Sequence, residues 1–314
     1  MRLYRHAYDL PPEARGAVVS LGNFDGMHLG HQAVIGAAAG VARAIGRPLA
    51  VLTFEPHTRE FFRPGDPPFR LTPLRAKLHA IEALGVDQVV ALAFNRQLSE
   101  MSADDFAATV LAGGMGIAHA VAGGNFRYGH KHAGSMATLA AAGARLGFGV
   151  TPVAPVCDQT GAAYSATMIR RLIVAGDVRR AAALLGRPWE IDGHVIGGDR
   201  RGRQLGFPTA NLKLGEYLRP AFGIYAIRAR LDRRAAPWFD GVANLGIRPM
   251  WRTEEPILEA HLFGFSEEIY GEVLRVRLIE RLRGEAHFDS IEALVEQVDR
   301  DKAAARVALA SLTP

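Results

Sequence analysis

The sequence predicts an α/β protein in two parts: a half built on a parallel sheet, then a small antiparallel barrel or sandwich closed by one long helix. Three observations predict it. Apolar strand-like runs alternate with helix-like runs up to about residue 185, as in a parallel sheet covered on both faces. After that point six strand-like runs follow one another almost without helix. The turn GNFDGMHLGHQ (22–32) joins the first long strand to the first long helix, where open α/β sheets bind ligands.

The elements follow in order. GAVVSLG (16–22) reads as a strand. GHQAVIGAAAGVARAIG (30–46) reads as a helix, with Val34, Ile35, Ala38, Val41, Ala42 and Ile45 on one face. PLAVLTF (48–54) is a strand, PLRAKLHAIEALG (73–85) a helix and DQVVALAF (87–94) a strand. Ser102 caps ADDFAATVLAG, with Asp105 at the capping-box position. AHAVAGG (118–124) is a strand, SMATLAAAGARLG (135–147) a helix and GVTPVAPV (149–156) a strand. Beyond RRAAALLGRPW the strands are WEIDGHVIGG, PTANLKL, GIYAIRARL, FDGVANLGI, ILEAHLFGF and VLRVRLIE. The chain closes with a helix over DSIEALVEQVDRDKAAARVALASL. The boundary falls at 185/186, giving domains 1–185 and 186–314.

Composition narrows the function. Of 314 residues 49% are apolar, enough for two cores, yet no apolar run approaches the roughly 18 residues of a membrane span. The first residues, MRLYRHAYDLPPEARG, lack the apolar stretch of a signal peptide. Cys157 is the sole cysteine, so no internal disulfide forms, which fits a cytoplasmic protein. The net charge of +5 is dispersed, which favours a small phosphorylated ligand over nucleic acid or a membrane. The expected state is a monomer or weak homo-oligomer.

His28 and His31 stand three apart in the first helical turn, so both face one ligand. The helix start adds backbone N–H groups and partial positive charge. Gly22, Gly26 and Gly30 let a phosphate approach the backbone. The dipole contributes only about 0.3–1 kcal/mol, so the histidines must supply donors where a phosphate gains charge. GGDRRGRQ (197–204) has the glycine spacing of a P-loop, but Arg203 and Gln204 replace Lys and Ser/Thr and no helix follows, which excludes that reading.

The stretch around His28 carries the H-x-G-H signature of nucleotidylyltransferases and resembles the bacterial bifunctional riboflavin kinase/FMN adenylyltransferase (FAD synthetase) family. The resemblance continues through LTFEPH, FRLTPLRAKLHAIEALGVD, GGNFRYG, SATMIRRLIVAGD, LLGRPW, GRQLGFPTANL, GIYA, GVANLGIRP, EAHLF and IYG, nearly the whole chain. It implies a Rossmann-like nucleotidylyltransferase domain, then an antiparallel β-barrel riboflavin kinase domain. It implies riboflavin, FMN and ATP as substrates, with Mg²⁺. His28 and His31 are then catalytic, holding ATP phosphates and the transition state. Gly22, Asn23, Phe24, Gly30, Ser165, Thr167 and Arg170 are expected around the nucleotide, and Asn125 and Phe126 around the flavin.

In the second half the resemblance assigns Thr209 and Asn211 to Mg–ATP and makes Glu259 the general base for the ribityl hydroxyl. Neutral oxygens two residues apart on one strand face suit a hard cation that keeps its waters. His261 is read as structural. Gly202 and Gly206 belong to a flap over the nucleotide phosphates. The chain departs from the family at Thr58, where Pro is usual, and at Gly124, Ser135, Ala166, Met168 and Met250. Those departures leave a second reading, a riboflavin kinase with a weak or altered nucleotidyltransferase domain. A third, a flavin- or RNA-binding regulator, leaves His28/His31, Thr209/Asn211 and Glu259 without a purpose.

Overall fold

The computed structural model describes residues 1–159, 161–197, 207–233, 235–247 and 255–311. The chain forms two compact units, one of 1–67 and 77–165, the other of 68–76 and 166–314.

The first unit is a six-stranded sheet of β1 (Arg2–Tyr4), β2 (Val18–Leu21), β3 (Leu49–Glu55), β4 (Gln88–Ala93), β5 (His119–Gly123) and β6 (Gly149–Val153). All pairings are parallel, in the order β1-β4-β3-β2-β5-β6. The order reverses between β2 and β5, which opens a crevice at their carboxyl ends. Successive residues point to opposite faces. Val18 packs with Val34, Ile35 and Ala38 of α1 (Leu29–Ile45), while Val19 packs with Phe106, Val110 and Leu139 on the other side. Both faces are therefore covered, as the apolar strands predict.

Short helices α2 (Thr58–Phe62), α3 (Leu74–Glu82) and α4 (Arg96–Glu100) follow β3 and β4. Ser102 caps α5 (Ala103–Asp105) by accepting the Asp105 N–H. The chain then widens into π-helical turns over Phe106–Met115 instead of an ordinary α-helix. There Gly114 lies so close to the Ala7 carbonyl that a Cβ would stand 2.7 Å from its oxygen. Ser135, one of the departures from the family that the sequence resembles, forms a capping box with Thr138 at the start of α6 (Met136–Leu146).

The second unit contains α7 (Ala166–Ala175), α8 (Val178–Leu185), β7 (Trp189–His194), β8 (Ala210–Lys213), β9 (Gly223–Leu231), β10 (Phe239–Gly246), β11 (Ile257–Leu262), β12 (Val273–Arg283) and α9 (Ile291–Ala310). Its sheet runs β7-β12-β9-β10-β11-β8, all antiparallel. The outermost strands meet where the Ile196 N–H, just beyond β7, donates to the Asn211 carbonyl at 2.9 Å. That contact nearly closes the sheet, so this half is a barrel and not a sandwich. Leu258, Ala260 and Leu262 point inward with Ala243, Leu245, Leu274 and Val276. On the outer wall, α9 sets Ala305 and Leu309 on Ala226, Val242 and Ile279.

Ile169, Ile173, Val178, Ala181 and Leu185 of α7 and α8 join the barrel-side core, together with Leu71 and Ala76. The compact units thus divide at 165/166, not at 185/186 where the rhythm of the sequence changes. The reason is physical: the apolar faces of α7 and α8 find their partners among the residues that follow them. Among the described residues no helix is long and apolar enough to cross a membrane.

Candidate active sites

The turn after β2 is built on unusual backbone. Phe24 (φ +50°), Gly26 (φ +84°) and Met27 (φ +48°) all adopt left-handed conformations. For Phe24 and Met27 this costs about 1 kcal/mol or more each. Both are 1% exposed, so burial in the α1 core holds them there. His28 is the N-cap of α1, and its Nδ1 accepts the His31 N–H at 3.3 Å. A ring that accepts at Nδ1 carries its proton at Nε2, so that edge is a hydrogen-bond donor. The two imidazoles stack with centroids 3.7 Å apart, and the Phe24 ring meets His31 edge-on at 5.3 Å. At Gly30 a Cβ would stand 3.1 Å from the His28 ring, closer than an ordinary contact, so a side chain there would press on that imidazole. At Gly22 a Cβ would crowd the Phe24 ring at the same distance.

Asn23 holds the turn from below. Its Nδ2 donates to the Thr58 hydroxyl at 3.2 Å, and its carbonyl accepts from the Thr53 hydroxyl at 3.1 Å. The departure at Thr58 therefore supplies an acceptor that a proline side chain lacks.

The β5 loop lies beside this turn because β5 is the neighbour of β2 across the switch. Asn125 is exposed and folds back over Gly123. The Phe126 N–H donates to the Gly123 carbonyl at 2.8 Å, and its ring stacks on Tyr128 at 5.8 Å. Gly124 donates to Val153 at 2.8 Å and leaves the loop end open. The structure thus brings Gly22, Asn23, Phe24, His28, Gly30 and His31 into one turn, with Asn125 and Phe126 on the adjacent strand end.

Ser165 ends the first unit at the start of α7, and Thr167 and Arg170 lie on α7 in the second. Arg170 Nε donates to the Phe69 carbonyl at 2.9 Å, with the guanidinium 5.4 Å from the Phe69 ring centroid. One edge of its fork is thereby fixed. Ala166 opens α7, and Met168 is exposed.

In the barrel, register assembles the site. Glu259 of β11 stands opposite Asn211 of β8 on one side and Asn244 of β10 on the other. Directly opposed residues share a face, so the three form one polar row on the outer wall. Asn211 is 5% exposed. Asn244 is the residue the sequence left unnoticed: the alternation of FDGVANLGI gives its face, but no short-range pattern gives its neighbour. Thr209 immediately precedes β8. His261 Nδ1 bonds the Pro208 carbonyl at 2.9 Å, which requires an Nδ1–H donor and supports the structural role. Burial pushes the His261 imidazole below its usual value, with Lys302 and Arg306 adding to the effect against the opposing Pro208 bond. Gly202, Gly206 and Met250 lie outside the described residues.

For a cation, Thr209 and Asn211 offer a hydroxyl and an amide oxygen, hard neutral donors that suit Mg²⁺. No group of three or more His, Cys, Asp or Glu among the described residues is arranged to hold a metal. Two neutral oxygens from the chain are a donor set that fits an ion bringing its waters and the nucleotide phosphates with it.

Two family models match the chain: FAD synthetase over residues 10–167 and riboflavin kinase over residues 185–309. A bifunctional riboflavin kinase/FMN adenylyltransferase from Pseudomonas fluorescens is 39% identical over 307 residues, covering 98% of this chain and 97% of that protein. One of the same description from Haemophilus influenzae is 37% identical over 301 residues, covering 96% and 97%. A crystal structure described as a macrolide-efflux protein from Streptococcus pneumoniae superposes with a TM-score of 0.84 at 31% identity, covering 97% of this chain and 98% of that one. With both halves matched and full-length relatives above 30% identity, the chain belongs to the bifunctional riboflavin kinase/FMN adenylyltransferase family.

Proposed function

We infer that this chain makes FAD in two steps: riboflavin + ATP → FMN + ADP, then FMN + ATP → FAD + pyrophosphate. The kinase machinery lies within 186–314 and the adenylyltransferase machinery within 1–185. The observation that carries the reading is the presence of two chemically distinct sites on one chain. One is a histidine-capped helix at a sheet switch point. The other is a carboxylate set in register between two asparagines.

In the kinase step Glu259 takes the proton from the ribityl 5′-hydroxyl as its oxygen bonds to the γ-phosphorus of ATP, and ADP leaves. Asn211 and Asn244 flank the carboxylate and orient it. Thr209 and Asn211 would hold Mg²⁺, which when bound would neutralise phosphate charge.

In the second step an FMN phosphate oxygen bonds to the α-phosphorus of a second ATP, and pyrophosphate leaves. His28 donates from Nε2, His31 stands stacked beside it, and the start of α1 adds its partial positive charge. Gly22, Asn23, Phe24 and Gly30 shape that turn. Ser165, Thr167 and Arg170 serve the phosphates, and Asn125 and Phe126 the flavin. Gly202 and Gly206 are assigned to the kinase nucleotide.

We place the reactions in the cytoplasm, supported by the single cysteine. We take the chain to act on small molecules as a monomer or weak homo-oligomer, apart from nucleic acid and membrane, in keeping with its dispersed charge. The test is a time course with purified protein, riboflavin, ATP and Mg²⁺. FMN is expected first and FAD later, and neither without Mg²⁺. FMN that accumulates unconverted would overturn the second step, and absence of any flavin product would overturn both.

A further inference from the structure

The backbone ladder between β2 and β3 ends where the Gly22 N–H donates to the Leu52 carbonyl at 3.2 Å. Two residues on, the chain turns away into left-handed Phe24. The Asn23 carbonyl is taken over by a side chain, the fully buried Thr53 hydroxyl, at 3.1 Å. A carbonyl only accepts, so the single hydroxyl proton points to Asn23. The acceptor side of that hydroxyl faces the Lys77 ammonium at 3.3 Å, which only donates. The direction of the chain of bonds is thereby fixed from Lys77 to Thr53 to Asn23.

Lys77 is 1% exposed and pairs with Glu55 at 2.9 Å. It sits on the apolar face of α3, four residues before Ile81, where a helix built only for packing carries an aliphatic residue. Burying an ammonium is costly even when it is paired, so the position asks for a use beyond packing.

We propose that Lys77 and Thr53 are positioning residues for adenylyl transfer. The ammonium orients the Thr53 hydroxyl, the hydroxyl fixes the Asn23 carbonyl, and Asn23 sets the turn that presents His28. This rests on assigning adenylyl transfer to that turn. Neither residue touches substrate; both decide where the His28 ring stands as charge builds on the α-phosphate. A displacement of about 1 Å costs roughly 10²-fold in rate.

The test compares wild type with Thr53→Val, Thr53→Ser, Lys77→Met and the double variant Lys77→Met/Glu55→Gln. Each is assayed for kcat and KM of FMN adenylylation, with FMN formation from riboflavin measured on the same sample. Thr53→Val keeps the side-chain volume and loses the hydroxyl. Its adenylylation kcat is expected to fall roughly 10- to 100-fold, with KM for ATP little changed and the kinase rate intact. Thr53→Ser is expected to recover most of the loss. The double variant leaves no buried charge, so a role confined to ion pairing would be repaired there, whereas positioning predicts that kcat stays low. Wild-type kcat in Thr53→Val, or recovery in the double variant, overturns the proposal. Should Lys77→Met not fold, Thr53→Val decides alone, since it leaves the ion pair in place. Wild type that makes no FAD would instead overturn the assignment of adenylyl transfer, which keeps the two failures distinct.

Discussion

At Glu259 a single atom pair separates base from bystander. Glu259→Gln keeps the shape of the side chain between Asn211 and Asn244 and removes the proton acceptor. FMN formation in a single turnover is expected to fall by roughly 10²-fold or more, with FAD synthesis from supplied FMN unchanged. Retention of most of the wild-type rate would mean that the proton leaves by another route. His28→Ala with His31→Ala is expected to do the converse, abolishing FAD formation and sparing FMN formation, because the stacked pair belongs to the other unit. Equal loss of both activities in a folded variant would contradict that separation. The placement of the histidines and of Glu259 was legible in local cues, a three-residue spacing after a strand and strict alternation along β11, whereas the roles proposed for them come from the family resemblance. Asn244 was not legible, because its place beside Glu259 depends on which strand pairs with which. Lys77 left a local trace, a lysine on an apolar helical face, whose meaning emerges only from Thr53 and Glu55 on another element.

Elements were legible in proportion to their burial. β2, β3, β4 and β5 are nearly continuous apolar runs and stand where the sequence put them. β1 was missed because an exposed edge strand of three residues carries no apolar pattern and owes its existence to pairing with β4. The choice between barrel and sandwich likewise turned on one non-local contact, that of Ile196 with Asn211. The burial of His261 on β11 has a consequence in pH. Burial lowers the His261 pKa in the folded chain, whereas the unfolded imidazole titrates near 6.5. The unfolded chain therefore takes up the proton first as pH falls. The stabilisation is complete above about pH 6.5 and is lost as pH falls from there through the lower folded value. Urea unfolding of wild type and His261→Gln, measured above and below pH 6.5, is expected to show a smaller acid loss in the variant. Identical slopes would remove His261 from the account.

At the scale of the whole molecule, two enzymes on one chain invite separation by a cut, and the core says where not to cut. A fragment beginning at Pro188 discards Ile169, Ile173, Val178 and Leu185, all buried in the core that Trp189 and Ile191 share. Each such side chain contributes about 1.5–3 kcal/mol. A fragment beginning at Ala166 is therefore expected to unfold at clearly higher urea than one beginning at Pro188, and equal midpoints would show that α7 and α8 are dispensable. The two-part division was legible from rhythm alone. The assignment of 68–76 and of α7–α8 was not, because rhythm reports an element's type and not its partners. That early segment also bears on how the protein is made. The Trp189 indole N–H donates to the Leu71 carbonyl at 2.8 Å across 118 residues of sequence. A ribosome adds residues at about 5–20 per second, so Leu71 leaves it roughly 6–24 s before Trp189 follows. Through that interval the nascent chain carries an apolar segment whose partners have yet to be translated.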